Sequence, residues 1–405
     1  MRTVLFVESG GSGGGSFQSL YLILKTLDRE RFRPMVAFLS RTRYVEEVRA
    51  LGVPVRVLTD WAFSTHVPWW LRKRFEHTVY RSHRRFPGAL ADWAVRLAHF
   101  SLLHGLRRLV REEGVDLLYS NNQLNRNLFM VYLARDTGLP LVCHWRSMSS
   151  DGFHPRKRAM INAGMAMGIA ISTVVRDHWI GQGVDPHHLE LIHNGLPPMG
   201  TVAPLDLKAE FGVPEGRQTV VLVGRVEWEK NHPLMFQGFK LLLDRLPETT
   251  LLVVGDGTKL EEMRALARDM GLADKVVFTG YEARAQAIIA GADLLAQPSL
   301  TDPFSRTVLE AMALGVPVVA TDVGGVREAV EHEVNGLLTP VGDAPALAEA
   351  MARLLGDPGL RTRLADNARR TIAERFDQSV QTRRIEAVLD RVLNSAPRHE
   401  PGKRA

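Results

Sequence analysis

Two carboxylates with small polar residues between them carry the most informative chemistry in the chain. Asp302 and Glu310 stand within Gln297-Pro298-Ser299-Leu300-Thr301-Asp302-Pro303-Phe304-Ser305-Arg306-Thr307-Val308-Leu309-Glu310, and Gly315 then separates this run from the apolar stretch Val316 to Ala320. The pattern predicts strand, loop, helix, glycine, strand. With Thr307 or a neighbour opening the helix, the free N–H groups over 305–308 and the positive end of the macrodipole are presented to an anion. Glu310 is expected in the first turn of that helix and Asp302 on the loop above it. Carboxylates accept hydrogen bonds from sugar hydroxyls, so the arrangement suits a ligand carrying both phosphates and hydroxyl groups.

A second candidate loop follows the first apolar run. Val4 to Glu8 leads into Ser9-Gly10-Gly11-Ser12-Gly13-Gly14-Gly15-Ser16 and then into a helical pattern of Phe17, Leu20, Tyr21, Ile23, Leu24 and Leu27. A glycine loop between strand and helix lets backbone N–H groups approach an anion or a substrate; the alternative is a purely structural turn. Gly11-x-Gly13-x-x-Ser16 falls one residue short of the dinucleotide fingerprint, and Leu39-Ser40-Arg41 ends the second strand without a carboxylate for a ribose diol. An NADP site is thereby weakened. No Gly-x-x-x-x-Gly-Lys-Ser/Thr run exists, which excludes a P-loop.

Positioning these loops requires strands whose ends converge. Short β-branched runs alternate with longer helical patterns, the signature of βα units around parallel sheets. Strands are expected at 3–8, 34–40, 54–58, 115–119, 140–144, 167–172 and 189–192, then at 219–224, 249–254, 276–279, 292–296 and 316–320. The turn residues of Asn194-Gly195-Leu196-Pro197-Pro198 divide the two series. The expected architecture is α/β, with two Rossmann-like doubly wound domains facing a cleft: residues 1–197, and residues 198–375. A C-terminal helix over 376–395 is expected to return to the first domain, with a frayed tail over 396–405.

Composition agrees with a globular chain of this kind. Of 405 residues 45% are hydrophobic and 24% charged, enough for packed cores and too little charge for wholesale disorder. Cys143 is the only cysteine, so no internal disulfide forms. Only four apolar residues, Val4 to Val7, precede Glu8, too few for a signal peptide, and Ala159 to Val175 is too polar to span a bilayer. A cytoplasmic protein is expected. The charge is uneven: residues 1–200 hold 26 Lys and Arg against 16 Asp and Glu, and the remainder holds 25 against 29. A basic first half favours acidic substrates, anionic lipid or nucleic acid.

Much of that excess sits at 61–111, where Trp61, Trp69, Trp70 and Trp93 accompany ten basic residues and only Glu76 and Asp92. Aromatics at helical spacing among cations suit an anionic bilayer surface; the alternative is a helical insertion whose Trp residues pack and whose Arg residues are solvated. No zinc-finger spacing or nucleic-acid-binding module accompanies the run, so a nucleic-acid partner is not expected.

Taken in order, several fragments resemble the retaining glycosyltransferases of family four, also called glycosyl transferases group 1, which have the GT-B fold. They are the opening glycine loop, Ile192-His193-Asn194-Gly195, Val223-Gly224-Arg225-x4-Lys230, Val254-Gly255-Asp256-Gly257, Phe278-Thr279-Gly280, the stretch 297–325 with its acid-x7-acid pattern, and Asn335-Gly336-Leu337-Leu338. The resemblance implies transfer of a sugar from a UDP- or GDP-sugar to an acceptor hydroxyl, with retained configuration. It implies that Arg225 and Lys230 bind the donor diphosphate, without a metal or other cofactor, because fixed cations then stabilise the leaving group. Glu310 would bind the ribose and Asp302 the hydroxyls of the transferred sugar. Amides of Phe304, Ser305, Arg306, Thr307 and Val308 would hold phosphate, and Gly280 and Tyr281 would meet the base. Gly13, Gly14, Gly224 and Gly255 would line the donor site. His144, in Cys143-His144-Trp145-Arg146, matches a family histidine near donor sugar and acceptor; a satisfied structural histidine is its alternative.

Three positions depart from the family pattern: Asp302 where Glu is usual, Ser305 where glycine is common, and His193 where proline is common. The basic, Trp-rich stretch implies a glycan or lipid-linked acceptor, with the enzyme peripheral at the inner face of the cytoplasmic membrane. A nucleotide-sugar epimerase of the same fold, a non-catalytic nucleotide-sugar-binding protein, and an NADP-dependent oxidoreductase are the other readings.

Overall fold

The computed structural model describes residues 1–9, 15–42, 44–58, 93, 95–97, 99–125, 127–148, 155–199 and 202–395. Gly13, Gly14, the tail 396–405 and the whole stretch 61–92 lie outside the described residues. The chain divides into two compact units, one of Met1–Gly195 with Gln378–Ala405, the other of Leu196–Asp377.

The first unit is a seven-stranded parallel sheet. Its strands are β1 (Arg2–Glu8), β2 (Phe32–Phe38), β3 (Val55–Val57), β4 (Leu117–Ser120), β5 (Leu141–Trp145), β6 (Met167–Ala170) and β7 (Leu189–Leu191), in the order β3-β2-β1-β4-β5-β6-β7. The second has six parallel strands: β8 (Gln218–Val223), β9 (Thr249–Val254), β10 (Val276–Gly280), β11 (Leu294–Gln297), β12 (Val318–Thr321) and β13 (Leu337–Thr339). Their order is β10-β9-β8-β11-β12-β13. Both are doubly wound, as the alternating pattern predicts. β13 is not among the strands that the sequence predicts, because three residues behind Asn335-Gly336 carry too little periodicity.

Parallel strands are covered on both faces, so they read as continuous apolar runs rather than alternating ones. Val4, Leu5, Phe6 and Val7 of β1 are fully buried, as are Val220, Val221 and Leu222 of β8. The first core joins Val4, Phe6, Phe32, Val36 and Tyr119 to Ile385, Val388, Leu389, Val392 and Leu393 of the last helix, Gln378–Ser395. The second gathers Val220, Leu222, Phe236, Phe239, Leu251, Val253, Leu347 and Met351.

Order 3-2-1-4 in each sheet creates a switch point, between β1 and β4 and again between β8 and β11. There the connections leave in opposite directions and the loops after neighbouring strands open a polar recess.

In the basic stretch the helix Phe100–Glu113 buries Leu102, Leu103, Leu106, Leu109 and Val110 in the first unit. Three of its cations are engaged: Arg96 donates to Asp136 at 2.7 and 2.9 Å, Arg107 pairs with the same carboxylate, and Arg108 meets Glu112 at 2.6 Å. Trp93, Leu97 and Phe100 remain 62%, 58% and 64% exposed.

Candidate functional site

In the second unit the switch point brings the end of β8 beside the end of β11, whose registers align Val220 with Leu294. After Val223 the chain passes Gly224 and Arg225 into a short turn, Trp228–Lys230. After Gln297 it passes Ser299 to Asp302 and then enters the helix Arg306–Leu314. Leu300 N donates to Glu229 O at 2.9 Å and ties the two loops together.

That tie sets up the central contact. Lys230 Nζ lies 2.8 Å from Asp302 Oδ2, with side chains 18% and 7% exposed. Arg225, its side chain 65% exposed, instead meets Glu229 at 2.6 Å. The two cations expected to act together are therefore each matched to a different carboxylate, one buried and one at the surface.

The helix begins one residue earlier than Thr307. Ser305 is its N-cap residue but makes no side-chain cap bond; its hydroxyl lies 3.2 Å from Thr307 Oγ1. Backbone N–H groups of the first turn are thus left to another acceptor. Glu310 is not in the first turn as the sequence predicts. It is the fifth residue of the helix, just past that turn, because the helix opens at Arg306. Side chains on a helix lean toward its N-terminus, which keeps the carboxylate near the opening end. Arg306 Nη2 donates to Glu310 Oε1 at 3.2 Å, and Gln286 Nε2 lies 3.4 Å from the same oxygen. Neither Arg306 as a side-chain partner nor Gln286 is legible from the motif.

The remaining residues divide by what they expose. Phe304 is buried, its ring 5.6 Å from that of Phe376, and Val308 is wholly buried, so these two can offer a ligand little beyond backbone. Tyr281 is 59% exposed beyond β10. Close backbone approach explains two glycines. Gly255 has φ 141°, and a Cβ there would sit 2.0 Å from Gly224 O. A Cβ on Gly324 would sit 2.0 Å from Asp302 O, so Gly324 lets the strand-end loops press together. Gln297 and Ser299, absent from the expected site, are fully buried just before Asp302 in the chain; Gln297 Nε2 donates to Ser299 Oγ at 3.1 Å and Thr321 Oγ1 to Ser299 O at 2.6 Å.

His232, one of the chain's buried histidines, opens the helix His232–Leu243 next to this loop. Burial, reinforced by the Lys230 charge, lowers its pKa to about 4, so it is neutral at physiological pH.

The switch point of the first unit holds a different assembly. Glu8 at the end of β1 accepts from Asn122 Nδ2 at 2.8 Å and from Asn121. Arg146, beyond β5, donates to Asn121 Oδ1 at 2.8 Å, to Asn194 Oδ1 at 3.0 Å and to His144 Nδ1 at 3.1 Å. Tyr119 Oη lies 2.6 Å from the same nitrogen. All of these side chains are buried except that of Asn122, which is partly exposed. His144 is thus a member of a packed polar network, and burial, with Arg146 beside it, holds its pKa well below the usual imidazole range. Only His144 of this group was expected; Glu8, Tyr119, Asn121, Arg146 and Asn194 are brought together by topology, from four separate segments.

Among the described residues no group of three His, Cys, Asp or Glu side chains is placed to hold a metal ion, and no helix is long and apolar enough to cross a membrane.

Comparison with known proteins agrees with this geometry. The family model "Glycosyl transferases group 1" matches residues 205–371, and the model "Glycosyl transferase 4-like domain" matches residues 40–195. The chain is 36% identical over 201 residues to D-inositol 3-phosphate glycosyltransferase of Xylanimonas cellulosilytica, covering 48% of this chain and 46% of that protein. It is 31% identical over 186 residues to the lipopolysaccharide core biosynthesis glycosyltransferase LpsE of Rhizobium meliloti, covering 45% of this chain and 52% of that one. The chain thus spans about half the length of the curated relatives it matches. Among solved structures, Anabaena Alr3699/HepE in complex with UDP and glucose aligns with a TM-score of 0.79 at 24% identity, over 96% of this chain and 100% of that chain.

Proposed function

The chain belongs to the glycosyl transferases group 1, the family-four glycosyltransferases built on paired Rossmann-like units, and from that membership we propose that it transfers a sugar from a nucleoside-diphosphate donor to an acceptor hydroxyl with retention. The observation that supports the reading is the Lys230–Asp302 pair at the β8/β11 switch point, followed within four residues by the uncapped start of helix Arg306–Leu314.

Cleaving the donor's glycosidic bond leaves charge on a diphosphate. Lys230 and Arg225 are fixed cations at the strand edge where such a group binds in doubly wound sheets, and the helix amides add donors. Asp302 and Glu310 accept from hydroxyls of the sugar and ribose. No dedicated protein nucleophile is required when the leaving phosphate accepts the acceptor's proton, and we expect no metal requirement. UDP in the Anabaena structures favours a uridine donor over guanosine.

For the acceptor we propose a glycan or lipid-linked hydroxyl, with the enzyme in the cytoplasm and peripheral to the membrane. Trp93, Leu97 and Phe100 support this: exposed apolar residues spaced three and four apart face one side of a helical segment. Flotation with anionic liposomes at low and high salt tests it. Co-flotation at low salt, weakened by Trp93→Ala with Phe100→Ala, is expected; recovery only in the soluble fraction at low salt removes the membrane from the proposal.

The donor is tested by melting the protein with UDP- and GDP-sugars, free UDP and GDP, and NADP, on the natural chain and on Arg225→Ala. A ligand bound only to the folded state raises the midpoint. A rise with one sugar nucleotide, reduced in the variant, is expected. A rise with NADP alone, or none at all, sinks the donor assignment.

A further inference from the structure

Glu310 has one of its two oxygens occupied by the protein itself. Oε1 accepts from Arg306 Nη2 at 3.2 Å, four residues earlier on the same helix, and from Gln286 Nε2 at 3.4 Å, on the helix Ala285–Ala290 that follows β10. A carboxylate oxygen offers two lone pairs, so Oε1 is filled. Oε2 has no hydrogen-bond partner among the described residues. The same contact fixes the Gln286 amide. A carboxylate only accepts, so the prong of the amide facing it is the NH2, and the carbonyl oxygen takes the other prong. That oxygen also has no hydrogen-bond partner among the described residues, and Gln286 is partly exposed. Two open acceptors, one on a carboxylate and one on an amide, are thus held in a set relation to each other by the bond between their side chains.

We propose that Gln286 is a specificity-determining residue that takes the second hydroxyl of the donor's ribose: Glu310 Oε2 accepts from one of the 2′ and 3′ hydroxyls, and Gln286 Oε1 accepts from the other. The inference rests on the transferase reading, which gives Glu310 the ribose, and it adds the residue that completes the diol site. A vicinal diol presents two O–H donors on adjacent carbons, and two acceptors in a set relation match it. Gln286 does this because a primary amide carries donor and acceptor on one rigid plane: the N–H orients Glu310, and the carbonyl orients the ribose. The consequence is a choice of substrate class. A nucleotide lacking either hydroxyl leaves an acceptor unpaired in a half-buried site, so sugars carried on a ribonucleoside diphosphate are favoured over those carried on a 2′-deoxyribonucleoside diphosphate.

Titration calorimetry of the full chain tests this, with whichever of UDP and GDP raises the melting midpoint more, and with the 2′-deoxy and 3′-deoxy forms of that nucleotide. Two variants accompany the natural chain. Gln286→Met removes both halves of the amide, whereas Gln286→Lys keeps N–H donors for Glu310 and has no acceptor. The ratio of deoxynucleotide Kd to ribonucleotide Kd cancels any general gain or loss within a variant, the added charge included. In the natural chain both deoxynucleotides are expected to bind more weakly, by about tenfold or more for the hydroxyl on the carboxylate and about three- to tenfold for the hydroxyl on the amide. The smaller of these two penalties is expected to vanish in both variants, and the larger to remain in Gln286→Lys.

Which penalty vanishes tells whether Gln286 holds the 2′ or the 3′ hydroxyl. Penalties in either variant equal to those of the natural chain overturn the proposal, as does a natural chain that binds a deoxynucleotide as tightly as the ribonucleotide. Loss of both penalties in Gln286→Lys overturns it as well, because Gln286 then acts on the ribose only by holding Glu310. A natural chain whose midpoint neither UDP nor GDP raises overturns the transferase reading instead, an outcome read before any Gln286 variant is made.

Discussion

Asp302 is one methylene shorter than the glutamate usual in the family motif, and in this chain it is held at 2.8 Å by Lys230. A phosphate entering the recess competes with that carboxylate for Lys230. Asp302→Asn removes the competitor, so free UDP or GDP should bind more tightly, while turnover should fall with the sugar contact proposed for Asp302; titration calorimetry beside a nucleotide-release assay reads both. Lys230 and Arg225 also differ in what they do for the fold. Lys230→Met strands a carboxylate that is itself nearly buried, and should cost about 3 kcal/mol of stability. Arg225→Ala removes an exposed pair and should stay within about 0.5 kcal/mol. Urea unfolding of the two variants separates a structural from a binding role. The motif names each of these residues, yet it cannot reveal that Lys230 meets Asp302, 72 positions away, or that Arg225 meets Glu229 on its own turn.

The strands and helices show which patterns a sequence displays and which it hides. Apolar runs such as Val4 to Val7 and Val220 to Leu222 announce buried parallel strands, because every position of such a strand is covered. β13 hides, being three residues long. Glu310 falls just past the first turn because the helix opens at Arg306, directly behind the extended backbone of Ser305, a start that the sequence leaves open between Thr307 and its neighbours. The first-unit network of Glu8, Asn121, Arg146 and His144 is hidden for a different reason: its residues end three separate strands, β1, β4 and β5, and only the sheet order makes them neighbours. Glycines give a direct test of element packing. Gly255→Ala puts a methyl 2.0 Å from a backbone oxygen, so a loss above about 2 kcal/mol is expected. Gly271→Ala, at φ 74° with open space around it, should cost only the left-handed strain, about 1 kcal/mol. Thermal unfolding of both variants checks the difference.

Acidification acts on the molecule through both units, since each buries a neutral histidine. His232 has its pKa lowered to about 4 in the folded state, whereas the unfolded chain takes up a proton near the ordinary 6.5. Between those values the unfolded state binds more protons, so this stability is fully present above pH 6.5 and is lost as pH falls toward 4. The loss from His232 should be of order 3 kcal/mol, and His232→Gln should flatten the decline in urea midpoint with falling pH.

The second unit is one unbroken stretch, Leu196–Asp377, while the first needs both ends of the chain. During synthesis, therefore, the unit begun first is finished last. Until Ile385, Val388, Leu389, Val392 and Leu393 leave the ribosome, the cluster around Val4, Phe6 and Phe32 lacks part of its cover. The unit made second can by then already be folded. A chain stopped after Asp377 should keep the Lys230–Asp302 pair at the β8/β11 switch point of the second unit and expose an adhesive apolar face on the first, a state that a nascent chain passes through every time it is translated.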